Sequence, residues 1–417
     1  MTVSRQRPPE KGTVVITAIA HCLLIDGTGA EPIEDGAVII EGDRIVAAGK
    51  AAETRTSQAD RTIDLKGMAL LPGLINLHVH YGLKLPGGLT ATYAEESESA
   101  LAFRMASNAR EALHIGVTTT RSVGEHRGAD FALRAAINAG RVEGPRMFTS
   151  GAALCITGGH GSRLGGTVIE CDGPYEFRKA ARAQIKLGAD QIKIMISGGI
   201  AGEVESIKHS QMAMDEMENV CLAAHNAGKK VCAHSGAPRA MLDAIRAGVD
   251  CMEHGYFLND EVAAVMVEKG TFLVPTVCVS RAEEYMRRIG VPDWMIRKSL
   301  DAGEQHWQAL KTAIRRGVKV AMGTDMLPAD PNDGTFATYR EMEHMQEAGM
   351  TPMDVIVAAT SRAAEVVDAR RELGSLEPGK LADLIACPGN PASGVGALRN
   401  TAFVMKGGEI VRQDARD

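Results

Sequence analysis

"LPGLINLHVHYG", residues 71–82, is an apolar run that ends in two histidines one residue apart. An apolar run of this length next to glycines reads as a buried strand. Alternate side chains of a strand face the same way, so His78 and His80 share one face and Val79 takes the other. Two neutral imidazoles side by side lose hydration unless something binds them, and a divalent metal is the usual occupant. An isolated His-x-His is equally well a polar strand end, so the rest of the chain must decide.

Working outward, strand-like runs alternate with helical periods. The runs are "GLINLHVH" (73–80), "VTTTRSV" (117–123), "PRMFTSG" (145–151), "QIKIMIS" (191–197), "KKVCAHS" (229–235), "DCMEHG" (250–255), "TFLVPTV" (271–277) and "KVAMGTD" (319–325). Segments such as "ESALAFRMASNAREALHIG" (98–116), "PRAMLDAIRAG" (238–248) and "DEVAAVMVEKG" (260–270) carry helical spacing, and several stop at glycine, the usual left-handed terminator. Eight strand–helix alternations imply a parallel sheet with helical crossovers, and eight is the number that closes a (β/α)8 TIM barrel. A doubly wound open sheet is the alternative.

The two chain ends read differently. "TVVITAIAHCLLI" (13–25), "GAVIIEGDRIVAAG" (36–49) and "RTIDLKGMALLPG" (61–73) are short β-branched runs cut by turns. "GSLEPGKLADLIAC" (374–387) and "TAFVMKGGEIV" (401–411), with "KGG" as a hairpin turn, resemble them. Residues 1–70 and 374–417 are therefore expected to form one small β-sandwich domain, with the barrel over 71–373. A chain of 417 residues suits one large domain plus a smaller one.

Composition excludes several classes. Net charge is −6 with no basic block, which argues against nucleic acid as a partner. No stretch reaches the 18 or so apolar residues of a membrane span. The eight cysteines are scattered without a C-x-x-C, which reads as buried thiols in a reducing, cytoplasmic compartment. "SRQRPPEKG" before the first apolar run loosely imitates a signal peptide, but the run is rich in β-branched residues and lacks a small-residue cleavage site, so a strand is expected.

In such barrels the catalytic groups stand at the C-terminal ends of the strands. Strand one ends in His78 and His80, strand four carries Lys193, strand five ends in His234, strand six in His254 and strand eight in Asp325. Any one of them could be a satisfied core polar group; six at one rim form a specific set. Lys193 is the odd member, because an ammonium aimed into a closed barrel beside divalent cations is badly placed. A neutral amine can add carbon dioxide and become a carbamate, an anionic oxygen ligand able to bridge two metals. Pairing with a carboxylate such as Asp190 is the plainer alternative.

"LPGLINLHVH", Lys193, His234, His254 and "GTD" together resemble the amidohydrolase superfamily across nearly the whole chain. "ITGGHG" (156–161) and "QIKIMISGG" are similar to the branch of imidazolonepropionase-like prolidases, Xaa-Pro and Xaa-Arg dipeptidases and ochratoxin-type amidases. The resemblance implies a carboxylated Lys193 bridging two zinc ions, with His78, His80 and Asp325 on one and His234 and His254 on the other. One departure is Asn76, where the family often has aspartate, which bears on local hydrogen bonding only.

Such a site generates hydroxide near neutral pH, and by family geometry Asp325 shuttles its proton to the leaving nitrogen of a small-molecule amide. Relatives that deaminate a cyclic base use one metal and a glutamate three residues after the strand-five histidine; this chain has Ala237 there. A non-enzymatic assembly protein would show gaps among the ligands, and none is present. Hydrolysis of a carbamate or urea-type xenobiotic, or of a cyclic amide, would use the same site with another pocket. For the substrate, a dipeptide or N-acyl amino acid, the candidate binding residues are His160, Tyr256, Tyr81, Arg163 and Arg121, all near strand ends. The loop 81–97 is long enough for a lid, and the amphipathic segment 278–298 is expected either to cap the pocket or to join subunits of a homo-oligomer.

Overall fold

The computed structural model describes residues 15–53, 55–82, 96–330 and 336–414. Most of the loop expected to form a lid, residues 83–95, and the leader-like segment 1–14 lie outside them.

Two arcs of parallel strands make the central barrel. The first is Leu74–Val79, Val117–Ser122 and Arg146–Phe148. The second is Gln191–Met195, Lys230–Ser235, Cys251–His254, Phe272–Val274 and Lys319–Val320. Backbone hydrogen bonds join the arcs at both seams, from Asp190 N to Thr149 O at 2.8 Å and from Leu77 N to Met322 O at 3.0 Å. The ring is thereby closed, and all eight strands fall within the runs read from the sequence. A short parallel pair that the sequence did not suggest, Ala153–Cys155 and Val168–Glu170, extends the second arc from its first strand.

The strands are buried on both faces because helices wrap the outside. Ile192 and Ile194 point outward into the main apolar cluster with Phe177, Met217 and Val220, whereas Lys193 and Met195 line the interior. The helix Pro238–Ala247 shows how the outer layer is specified. Proline opens its first turn, its buried residues Ala240, Met241, Ala244 and Ile245 follow helical spacing, and Gly248 ends it at φ 104°. Between the seventh and eighth strands lie Glu283–Arg288 and the 24-residue helix Asp293–Arg316, which together realise the amphipathic segment.

Both chain ends contribute to one eight-stranded sheet. Ile16–Leu24 pairs with Ile33–Glu41 on one side and with Arg61–Asp64 and Ala69–Pro72 on the other. Ala69–Pro72 takes the C-terminal strand Leu384–Cys387, followed by Phe403–Lys406 and Glu409–Gln413. The last two are joined by a two-residue hairpin whose glycines, Gly407 and Gly408, both have the positive φ that such a turn requires. The sandwich is realised as one continuous sheet. It curls until Ile45 N donates to Lys380 O at 2.9 Å, and it encloses Ile19, Leu24, Ile40, Leu70, Phe403 and Met405. Ala69–Pro72 runs almost directly into the first barrel strand, which ties the curled sheet to the barrel. Among the described residues no helix is long and apolar enough to cross a membrane, and all eight cysteines are buried and unbridged.

Candidate active site

The C-terminal ends of the strands converge on a cavity of about 1050 Å³, open mouth included, lined by His78, His80, Lys193, His234, His254 and Asp325. All six predicted groups therefore meet. His78 Nε2 and His80 Nε2 each lie 3.1 Å from Asp325 Oδ1, and His254 Nδ1 lies 3.9 Å from Asp325 Oδ2. The rings of His234 and His254 are 4.6 Å apart, and those of His78 and His254 4.9 Å.

Backbone geometry aims these groups. On the sixth strand Met252 faces the outer cluster, so simple alternation would send His254 outward too. At His254 the chain enters the left-handed region, φ 66°, and the imidazole turns into the mouth instead. Its Nδ1 meets Thr276 Oγ1 at 2.7 Å. Thr276 (φ 53°) and Asp325 (φ 52°) are left-handed as well. Such backbone costs of order 1–3 kcal/mol per non-glycine residue and tends to gather at functional sites.

Protonation follows from crowding. Burial, with His160 and Lys193 nearby, holds His234 well below its usual pKa; burial with His234 beside it does the same for His254. Both are then neutral, with lone pairs to offer. Burial would raise Asp325, but facing His78 and His80 outweighs it and holds the carboxyl well below its usual range, ionised. Neutral imidazoles beside a carboxylate are a donor set suited to a divalent metal, and ligand atoms of His78, His254 and Asp325 lie within 4.8 Å of one another. Lys193 Nζ is buried and has no hydrogen-bond partner among the described residues. The alternative partner, Asp190, is taken by Arg134 Nη1 at 2.5 Å and by Thr149 N at 2.8 Å. A buried amine with no acceptor is costly, so the residues present fit a group that would engage it.

Of the five residues expected near the substrate, only His160 and Tyr256 line the cavity. His160 stacks on His234 at 4.1 Å and pairs through Nδ1 with Glu205 Oε1 at 2.7 Å; Tyr256 stacks on His254 at 5.3 Å. The other three are corrections. Arg121 is fully buried beneath the mouth, donating to Glu253 Oε1 and to Leu77 O, each at 2.5 Å. Tyr81 is likewise buried, its hydroxyl on Thr120 Oγ1 at 3.3 Å. Arg163 is exposed on the glycine-rich loop and lies outside the cavity lining. Position near a strand end does not say which way a side chain points.

Several residues of the site were not foreseen. Glu253 accepts from His78 Nδ1 at 2.8 Å; burial would raise it, but Arg121 and His78 bring it down to about 2. Glu125 lines the cavity near His80, and burial pushes it up to about 7 although His80 opposes. The signal for Glu125 was present, since "VGEH" (123–126) follows the second strand at the same rim. For Glu253 the sequence offered only a carboxylate on a strand buried on both faces. Asn76 also acts in this layer, donating from Nδ2 to Thr324 Oγ1 at 3.0 Å and to Thr338 Oγ1 at 3.2 Å, next to Asp325.

The pattern of the amidohydrolase family matches residues 69–411. The chain is 31% identical over 435 residues to the ochratoxinase of Aspergillus niger, covering 95% of this chain and 87% of that protein. Among solved structures, a Xaa-Pro dipeptidase with methionine bound in its active site superposes with a TM-score of 0.85 at 31% identity, over 95% of this chain and 100% of that one. A prolidase complexed with N-methylphosphonate-L-proline superposes with a TM-score of 0.87 at 30% identity, over 96% and 100%. On this fold, this site and these relatives, the chain belongs to the amidohydrolase family and is a hydrolase acting on C–N amide bonds.

Proposed function

We propose that the chain is a binuclear metal-dependent hydrolase that cleaves the amide bond of a dipeptide or an N-acyl amino acid. The observation that carries this reading is the amine of Lys193, buried without an acceptor among the described residues in a mouth shared with His78, His80, His234, His254 and Asp325. Left as an ammonium among metal ions it would be repelled as well as desolvated. As a neutral amine it adds carbon dioxide: its lone pair bonds the carbon, the N–H proton leaves to solvent, and an anionic carbamate results. In this reading His78, His80 and Asp325 would hold one ion and His234 and His254 the other, with the modified Lys193 as a ligand available to both. Zinc suits so imidazole-rich a set.

When bound, such ions supply Lewis acidity to the amide carbonyl and acidify a water. Asp325, ionised at the mouth, carries the proton: its carboxylate takes one from the attacking water and returns it to the departing nitrogen. His160, held by Glu205, and Tyr256 face the substrate. The amino-acid-derived molecules held by the two solved relatives support a substrate of this kind. We also read residues 1–70 with 374–417 as one domain and 71–373 as the other, and the unbridged cysteines as suited to the cytoplasm.

Metal counting on the purified protein, beside a panel of dipeptides and N-acyl amino acids varied at both ends, tests the reading. Two divalent ions per chain and hydrolysis of part of the panel are expected. Lys193→Ala should drop the count below two and abolish turnover, and small carboxylic acids such as formate should restore some of it. A Lys193→Ala protein with full activity and two metals would sink the reading.

A further inference from the structure

The cavity is divided in its chemistry. Its floor is the polar set described above, but one wall is apolar. Met286 and Met295 come from the two helices after the seventh strand, Met326 from the turn after Asp325, Val279 from the turn Val277–Ser280, and Ile200 from the loop after the fourth strand. Met286, Met295 and Ile200 are at most 6% exposed and pack with Tyr256 and Ile296 in one apolar cluster, so the wall is built into the fold. Among the described residues Lys193 is the one lysine of the lining, and no arginine joins it.

We propose that one arm of the amide substrate is a large uncharged group, aliphatic or aromatic, seated against this methionine wall. The proposal rests on the amide-hydrolase reading and narrows it. A charged arm placed there would give up its hydration without a counter-ion. An apolar arm gains about fourfold in kcat/KM for each methylene removed from water. Methionine is unbranched, polarisable and adaptable, so arms of equal apolar area but different shape should be accepted alike.

The test is a pair of substrate series with the metal-loaded protein. In one, a single amino acid carries acetyl, butanoyl, hexanoyl, octanoyl, benzoyl or succinyl groups; in the other, the acyl group is fixed and the amino acid runs from alanine to phenylalanine to aspartate. One series should climb by about fourfold per methylene until the wall is covered, with the charged member at the bottom. Met295→Lys should reverse the octanoyl-to-succinyl ratio, or the phenylalanine-to-aspartate ratio if the second series is the one that climbs. Met286→Ala with Met295→Ala should flatten the climbing series; each ratio is read within one preparation, so partial misfolding does not move it. Hydrolysis that is flat in both series, that favours the charged member, or whose ratios survive the double variant would overturn the proposal and leave the amide reading standing. No hydrolysis of any member would sink the amide reading and this proposal together.

Discussion

The curled sheet and the barrel mouth solve opposite problems with similar strands. The sheet encloses Ile19, Val38, Ile40, Leu70, Leu384 and Phe403 in one apolar cluster. The mouth buries Lys193, Arg121, Glu253, His78, His234 and His254 and leaves His80 and Asp325 partly exposed, with left-handed backbone at His254, Thr276 and Asp325. The first arrangement stabilises by removing apolar surface from water; the second spends stability to hold chemistry in place. Substitutions in the two regions should therefore move stability and activity in opposite proportions.

Lys193→Met should give the largest change in function. If Lys193 bridges two metals as proposed, its loss should cost more than the ~100-fold that outer-layer partners of a metal site cost, and turnover should fall below detection. In metal-stripped protein the same variant should unfold at equal or higher denaturant concentration, because a thioether replaces a buried amine without an acceptor. Phe403→Ala in the sheet should do the reverse. Its fully buried ring leaves a cavity worth about 3–5 kcal/mol, while metal content per folded molecule stays unchanged. Paired urea unfolding and metal counting on both variants check this. A Lys193→Met protein that is active or markedly unstable, or a Phe403→Ala protein that loses metal, would break the contrast.

The fold was legible because period and punctuation agreed. Strand and helix periods alternated eight times, and glycine closed the helix at Gly248. The six convergent groups were legible because the barrel rule places strand ends at one rim. The layer beneath was not. Arg121 and Glu253 are distant in sequence, and nothing local to either says that they meet at 2.5 Å or that Glu253 reaches His78. Neither was the left-handed turn at His254 written in "MEHG", since the residue there is not glycine. Long-range pairing and strain are properties of the packed whole.

That hidden layer gives the next prediction. Glu253 holds Nδ1 of His78 and is itself clamped by Arg121, which leaves Nε2 of His78 toward the mouth. Glu253→Gln removes the negative charge but keeps the volume. Affinity for divalent metal, read by chelator competition, should fall about 10–100-fold. An unchanged affinity would mean that the Arg121–Glu253–His78 chain is a packing device only.

The smallest effect sharpens the comparison one shell further out. Glu341 is fully buried behind the mouth, accepting from Val277 N at 2.9 Å and Cys278 N at 2.8 Å, and burial pushes it up to about 7 from 4.5. Because the folded pKa lies above the unfolded one, its stabilising contribution is fully present below pH 4.5 and is lost as pH rises through 7. Within that window the difference in unfolding free energy between the native protein and Glu341→Gln should shift by about 1 kcal/mol per pH unit against the native protein. Charged residues common to both proteins cancel in the difference, so the slope reports this carboxyl alone. A difference flat with pH would mean that the two backbone donors hold the carboxylate ionised at no cost, and that the strain of the mouth ends at its first layer.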